Sequence, residues 1–271
     1  MNRQIGWWLS WPARAYLRHS PIQRGKGFVI RRAVLPLLPS PPARFLASLP
    51  GGGRIELSYR ETLGYVTLIY GGFERAELES VLSFGRLGTT VFDVGANVGI
   101  FSVVMAGAVG DHGTVIAVEP NAANVRRLRS NLKLNAVSNV QIVEAAATNR
   151  EGTLRLHLAV DAAYHSLGPV KHTDGSSESV QVDALRLDQI WQDAGSPVVS
   201  LMKIDVEGAE IPALEGSVQI LATHHPALLL EAGDDADLDA LRAFLGPLGY
   251  RRMNQAGYMT WNHLFLWDRV G

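Results

Sequence analysis

The stretch that constrains this chain most is VFDVGANVGIFSVV, from Val91 to Val104. Val91, Phe92 and Val94 read as a buried strand, Gly95 breaks it, and Ile100, Val103 and Val104 open a helical pattern after Gly99. Strand, glycine turn and helix together present backbone N–H groups and a helix N-terminus to a ligand. Glu119, in VIAVEP, stands 20 residues after Gly99. A carboxylate at that distance, roughly 20 residues on at the end of the next strand, takes ribose hydroxyls. The spacing predicts a nucleoside site rather than a turn that only packs strand against helix.

Charge then selects the nucleoside. A dinucleotide fold carries G-x-G-x-x-G at this point, because a pyrophosphate needs bare backbone and no competing anion. Here the turn reads D-V-G-A-N-V-G, with Asp93 at the strand tip. A carboxylate there repels a pyrophosphate and suits a cationic ligand without phosphate, such as S-adenosylmethionine (SAM). No G-x-x-x-x-G-K-[ST] loop is present to hold a triphosphate.

VFDVGANVGIFS, VEPN and KIDVEGAE, in this order, resemble the FkbM family of SAM-dependent methyltransferases, from about Leu63 to the C-terminus. DVGANVG and IDVEGAE together are that family's signature. The resemblance implies a class I methyltransferase fold, SAM as cofactor, and transfer to a hydroxyl oxygen of a sugar or other natural product. In this reading Asp93 and the turn Gly95, Ala96, Asn97 and Gly99 hold the amino-acid part of SAM. Glu119 grips the ribose through both oxygens, with Pro120 and Asn121 beside it. By the resemblance, Ala145 and Ala146 lie next to the adenine.

The whole chain permits this. With 271 residues, 47% hydrophobic and 19% charged, it reads as a soluble globular protein with one sizeable α/β core and an appendage. It has no cysteine, which excludes disulfides, thiolate metal sites and thiol nucleophiles. No apolar run approaches the length of a membrane span, and the expected location is the cytoplasm. The net charge of −1 hides an asymmetry: up to Ile55 there are nine basic residues and no acid, leaving 16 basic against 26 acidic residues beyond it. An acidic body argues against a nucleic-acid partner.

Residues 1–50 form a separate extension in which Trp7, Trp8, Trp11, Leu17 and Phe28 lie among arginines, followed by the proline-rich LPLLPSPPARF. Three readings stand open: an arm packing on the body or on a second subunit, a peripheral membrane-surface segment, or a transit peptide. Residues 51–271 form the predicted catalytic domain. Within it, RIELSYR and YVTLIYG read as paired strands. GFERAELESVLSF reads as a helix with Leu78, Val81 and Leu82 on one face and Glu74 and Glu77 as charges in its first turn. Pro120 starts the next helix and a third strand follows in NVQIVEAAATN. TLRLHL and ESVQVDAL are predicted strands flanking the long polar loop AVDAAYHSLGPVKHTDGSS, the best hint to the acceptor site. The remainder reads as helix LDQIWQDAG, strand VVSLMKI, one helix through Ala222, strand ALLLEAG, helix LDALRAFLGPLG and terminal strands near Tyr250–Met253 and His263–Trp267. Alternating strands and helices predict a doubly wound, mostly parallel Rossmann-like sheet.

Ligands bind such sheets at the carboxyl ends of the strands. That rule sets aside His112, His225 and His263, which precede strands, and leaves His165 and His172 of the long loop; His165 is a candidate general base. Asp205, ending the fourth core strand beside the cofactor strand, is the stronger candidate for contact with SAM or the acceptor hydroxyl. Glu207 and Glu210 crowd the same turn, with Glu210 suited to capping. Lys203 shares the strand face of Asp205, and Glu231 ends the next strand. Two such carboxylates could hold Mg²⁺, although no metal site is predicted. The predicted function is SAM-dependent O-methylation of a small molecule or glycan, with a lipid-linked sugar suiting the basic extension. A non-catalytic SAM-binding protein and a nicotinamide oxidoreductase are the rivals.

Overall fold

The structure, a computed structural model, describes residues 44–58, 61, 63–64, 67, 74–158, 179–255 and 261–268. The chain divides into two compact units, residues 1–47 with 56–73, and residues 48–55 with 74–271. Short strands β1 (Phe45–Ser48) and β2 (Arg54–Leu57) form a two-stranded sheet. In the first unit Arg44 pairs with Glu56 at 2.9 Å. The strand expected over YVTLIYG is not found at Thr67, which is helical together with Leu63 and Gly64. The Thr67 hydroxyl donates to the Leu63 carbonyl, a local bond that competes with strand pairing.

The second unit is built on a seven-stranded sheet. In chain order it contains α1 (Arg75–Phe84), β3 (Thr90–Val94), α2 (Ile100–Val109), β4 (Thr114–Val118), α3 (Ala122–Leu134) and β5 (Val140–Val143). After β6 (Ala146–Ala147), β7 (Gly152–His157) and β8 (Ser179–Leu185) come α4 (Leu187–Asp193), β9 (Val199–Ile204), α5 (Glu210–Glu215) and α6 (Val218–His224). β10 (Ala227–Glu231), α7 (Asp235–Leu245), β11 (Tyr250–Met253) and β12 (Asn262–Trp267) complete it. The main sheet has the order β11-β12-β10-β9-β3-β4-β5. Pairings from β10 to β5 are parallel, and β12 runs antiparallel to both of its neighbours. This is the doubly wound, mostly parallel sheet that the resemblance implied. β6, β8 and β7 form a separate three-stranded sheet, so the expected third strand stops at Val143 and its alanines serve another sheet.

Strand alternation divides the core. Phe92, Val94, Ile116, Met202, Ile204, Leu228 and Leu230 face α4–α7, through residues such as Leu187, Leu214, Ile220 and Leu241. The opposite face carries Ala117 against Val103 of α2 and Leu128 and Leu132 of α3. With a period of two, that second face also receives Asp93, Lys203 and Asp205. Asp93 pairs in register with both Ala117 and Lys203.

Several boundaries differ from expectation. α3 starts at Ala122 rather than Pro120, because the Asn121 side chain accepts from Ala123 N and Asn124 N as its N-cap. The single helix expected through Ala222 is two, α5 and α6. At Gly216 any Cβ would overlap the Thr148 carbonyl oxygen, and the carboxylate of Asp188 accepts from Gln219 N and Ile220 N to begin α6 afresh. In α1, Leu78 and Val81 are buried as expected, but Leu82 is 38% exposed and Glu77 takes the inner face instead. Among the described residues no helix is long and apolar enough to cross a membrane.

Candidate active site

The carboxyl ends of β4, β3, β9 and β10 meet around the turn after β3. Gly95 has φ +77°, and a Cβ there would overlap the carbonyl oxygen of Asp205, so the turns after β3 and β9 touch backbone to backbone. Gly99 has φ +92° and abuts the Leu128 side chain, which lets α3 close on the turn. Between them Asn97 is also left-handed, at φ +50°, a conformation its short polar side chain tolerates.

Four N–H groups of this turn are committed. Gly95 N and Ala96 N both donate to the Val118 carbonyl, and Gly99 N donates to Ala96 O. Asn97 N donates to Glu119 Oε2 at 2.9 Å. Glu119 Oε1 accepts from Asn121 N at 2.9 Å and from Asn124 Nδ2 at 3.3 Å. An ionised carboxylate has about four acceptor positions. Three are taken, which leaves Glu119 room for a ribose hydroxyl but not for the two-oxygen grip expected from the sequence. Burial raises its proton affinity, against the pull of these donors.

Asp93 is not at a ligand-facing tip. Its side chain is fully enclosed, and Oδ2 accepts from the Ser102 hydroxyl at 2.5 Å. The Ser102 N–H also donates to it, so Asp93 satisfies one of the free amides at the start of α2. Its other oxygen lies 3.9 Å from Lys203 Nζ, without a hydrogen bond. The expectation that Asp93 meets the ligand's cation directly is therefore corrected: the carboxylate fastens strand to helix and contributes field rather than contact.

Lys203 is the pivot of the site. Only 5% exposed, it donates to Gly95 O at 3.2 Å, pairs with Asp205 Oδ2 at 3.0 Å, and lies 5.1 Å from the centre of the Phe101 ring. Burial alone would weaken its hold on the proton, but Asp205, Asp93 and Glu74 outweigh it and keep the ammonium above the ordinary lysine range. Burial likewise works against the Asp205 carboxylate. Lys203, with hydrogen bonds from Glu231 and Lys203, holds it below the ordinary aspartate range. The predicted pair of Lys203 and Asp205 is thus present, with the Asp205 side chain still 28% exposed.

Asp205, Glu207 and Glu231 bring one oxygen each within 4.8 Å of one another. This repulsion is relieved by a proton. Burial, the Asp205 charge and a hydrogen bond to Asp205 push the Glu231 carboxyl far above its usual range, and it donates to Asp205. Glu210, expected to offset the first amides of α5, accepts at 3.1 Å from Val206 N and Gly208 N, which belong to the turn ahead of that helix.

Two site residues were missed in the sequence. Glu74 and Glu77, read as helix-terminus charges, are buried and share the Asn262 amide, which donates to them at 2.8 and 3.2 Å. Asn262 pairs in register with Glu231, so the antiparallel β12 begins at the carboxyl edge. The rule that set His263 on the opposite edge assumed a parallel strand and fails here. His263 turns to the α7 side, where burial, Arg252 and Arg242 depress its basicity. Ala145 and Ala146 are buried small residues just past β5. Pro120 and Asn121 follow Glu119 as expected. His165 and His172 lie outside the described residues, as do residues 1–43 of the extension.

Residues 93–255 match the Methyltransferase FkbM domain. The chain belongs to the FkbM methyltransferase family. "Methyltransferase 1" of Beauveria bassiana (strain ARSEF 2860) is 27% identical over 143 residues, which cover 46% of this chain and 57% of that protein. The crystal structure of methyltransferase FkbM from Methylobacillus flagellatus KT aligns at 19% identity and a TM-score of 0.48, over 71% of this chain and 51% of that one. A SAM-dependent methyltransferase from Aquifex aeolicus aligns at 14% identity and a TM-score of 0.41, over 70% and 88%. The chain thus spans little more than half the length of the first two relatives.

Proposed function

We propose that this FkbM-family chain is a SAM-dependent O-methyltransferase acting on a hydroxyl of a sugar, glycolipid or other natural product. The observation that carries the reading is Glu119. Three N–H donors fix its carboxylate across the glycine turn, with one acceptor position left for a ribose hydroxyl. The committed amides of Gly95, Ala96, Asn97 and Gly99 leave little for a phosphate, which favours this reading over a nicotinamide oxidoreductase. The donor set also fits: the carboxylates of Asp93 and Asp205 outnumber the one ammonium of Lys203, a field that favours a cationic ligand.

SAM, when bound, supplies a methyl group on a sulfonium already activated for displacement. The chain's own contribution is then chiefly alignment, with removal of the hydroxyl proton. Lys203 keeps Asp205 ionised and ties it to the glycine turn through Gly95 O, so the two turns hold one geometry. The experiment is a calorimetric titration of the full chain with SAM and NAD side by side, followed by incubation of labelled SAM with glycan and lipid extracts. Tight SAM binding and a methylated hydroxyl are expected; preferential NAD binding would end the proposal.

A further inference from the structure

The carboxylates at the end of β9 and β10 are not equivalent. Asp205 is pinned by Lys203, Glu231 is engaged with Asp205, and Glu210 is engaged by two backbone amides. Among the described residues, Glu207 alone in this cluster makes no side-chain hydrogen bond. It is half-buried and sits on a left-handed backbone at φ +53°, a conformation that a non-glycine residue adopts at some cost. Its immediate predecessors, Asp205 and Val206, pack on Gly95, so Glu207 stands beside the cofactor turn with one edge open to an incoming acceptor.

We infer that Glu207 is the general base of the proposed transfer, standing beside the glycine turn with Asp205 and Glu231 as its nearest carboxyl neighbours. The inference rests on the methyltransferase reading above. In the step, the acceptor oxygen forms a bond to the methyl carbon while the carbon–sulfur bond breaks. The bonding pair goes to sulfur, giving neutral S-adenosylhomocysteine, and the hydroxyl proton passes to the Glu207 carboxylate and then to water at its exposed edge. Charge balances, since one cation and one carboxylate become two neutral groups.

The charged groups facing Glu207 all bear on its basicity. Burial, then Asp205, then Glu210 raise it, Lys203 opposes them, and the carboxyl is pushed up to about 8. Glu231, across from it on β10, is within the same cluster. A base is most effective when its proton affinity lies near the working pH. Asp205, held as a low-affinity anion, is the poorer proton acceptor.

The test uses the full chain carrying ¹³C at the glutamate carboxyl carbons, titrated by NMR before SAM is added, because a bound cation would itself lower the midpoint. Glu207→Gln and Glu207→Asp identify the resonance. A midpoint near 8, lowered by Asp205→Asn, is expected; a midpoint in the ordinary glutamate range near 4.5 would overturn the inference. In parallel, labelled-methyl transfer is measured to a pool of methyl glucoside, methyl rhamnoside and a short-chain glucosyl lipid. Glu207→Gln is expected to lower transfer about 100-fold or more and to keep SAM affinity within about threefold. Glu207→Asp is expected to retain part of the transfer. Transfer undiminished in Glu207→Gln overturns the base assignment alone. Failure of the unaltered chain to bind SAM, or to label any probe, overturns the assignment together with the reading it rests on.

Discussion

Gly95 and Asp205 touch through their backbones: the space a side chain at position 95 would need is filled by the Asp205 carbonyl oxygen. That contact joins the glycine turn to the acidic turn, and it makes a sharp prediction. Gly95→Ala must relieve both a left-handed backbone and an overlap with main chain, neither of which a side-chain rotation can cure. Left-handed strain alone costs of order 1–3 kcal/mol, so urea unfolding should show at least that loss, with weakened SAM binding. Gly107→Ala is the contrast. Gly107 lies within α2 with nothing within 4 Å of an added Cβ, so the variant should be stabilised by about 0.5–1 kcal/mol.

Lys203 is flanked by two carboxylates on one sheet face, Asp93 of β3 and Asp205 at the end of β9, and it is the described cation nearest them. Replacing it with methionine keeps the stem and removes the charge, leaving Asp93 and Asp205 uncompensated. Breaking a buried pair in this way costs about 3–5 kcal/mol. Without the ammonium both carboxyls gain proton affinity, so the deficit of Lys203→Met should shrink as pH falls from 8 to 5. An equal deficit at both pH values in urea unfolding would count against the pairing.

Glu74 carries a pH dependence of its own. Burial and then the Asp205 charge raise its carboxyl from 4.5 to about 7. Between those values the folded chain holds a proton that the unfolded chain releases, so stability falls as pH rises through this window and the cost is complete above about 7. Glu74→Gln removes the cost and still offers an acceptor to Asn262. The variant should match the unaltered chain near pH 4.5 and exceed it at pH 8 by of order 1–3 kcal/mol. Thermal unfolding at the two pH values checks the sign.

What could be read from the residues was whatever is local or set by strand alternation. Gly95, Gly99 and Glu119 stand out because turn chemistry and spacing are written along the chain. Lys203 and Asp205 stand out because residues two apart share a strand face. What could not be read depended on partners far away in sequence. The burial of Glu74 and Glu77 rests on Asn262, and the position of Asn262 rests on β12 running antiparallel, a direction no local pattern encodes. Asp93 was misplaced for a related reason: its partner Ser102 lies in the same motif, but only the packing of α2 on β3 reveals that the carboxylate turns inward. The α5–α6 break depends on Thr148 and Asp188, neither of them near it in sequence.

Glu119 supplies the most discriminating variant. Both of its oxygens accept from backbone amides, Oε2 from Asn97 and Oε1 from Asn121. An amide in its place has one acceptor oxygen and one donor NH₂, so Glu119→Gln must turn a donor toward a donor on one side. Leaving a buried N–H unpaired costs about 1–3 kcal/mol, which should appear in thermal unfolding without any ligand. The same misalignment removes the acceptor position left open on Glu119; if the proposed ribose contact uses it, SAM affinity should fall at least about tenfold, because hydrogen bonds to a charged group are worth roughly 1.5–3 kcal/mol. Glu119→Asp keeps two acceptor oxygens on a stem one methylene shorter, and should retain more of both properties. Calorimetric SAM titration of the three chains reads the order directly; Glu119→Gln binding SAM as tightly as the unaltered chain would show that this carboxylate only braces the turn.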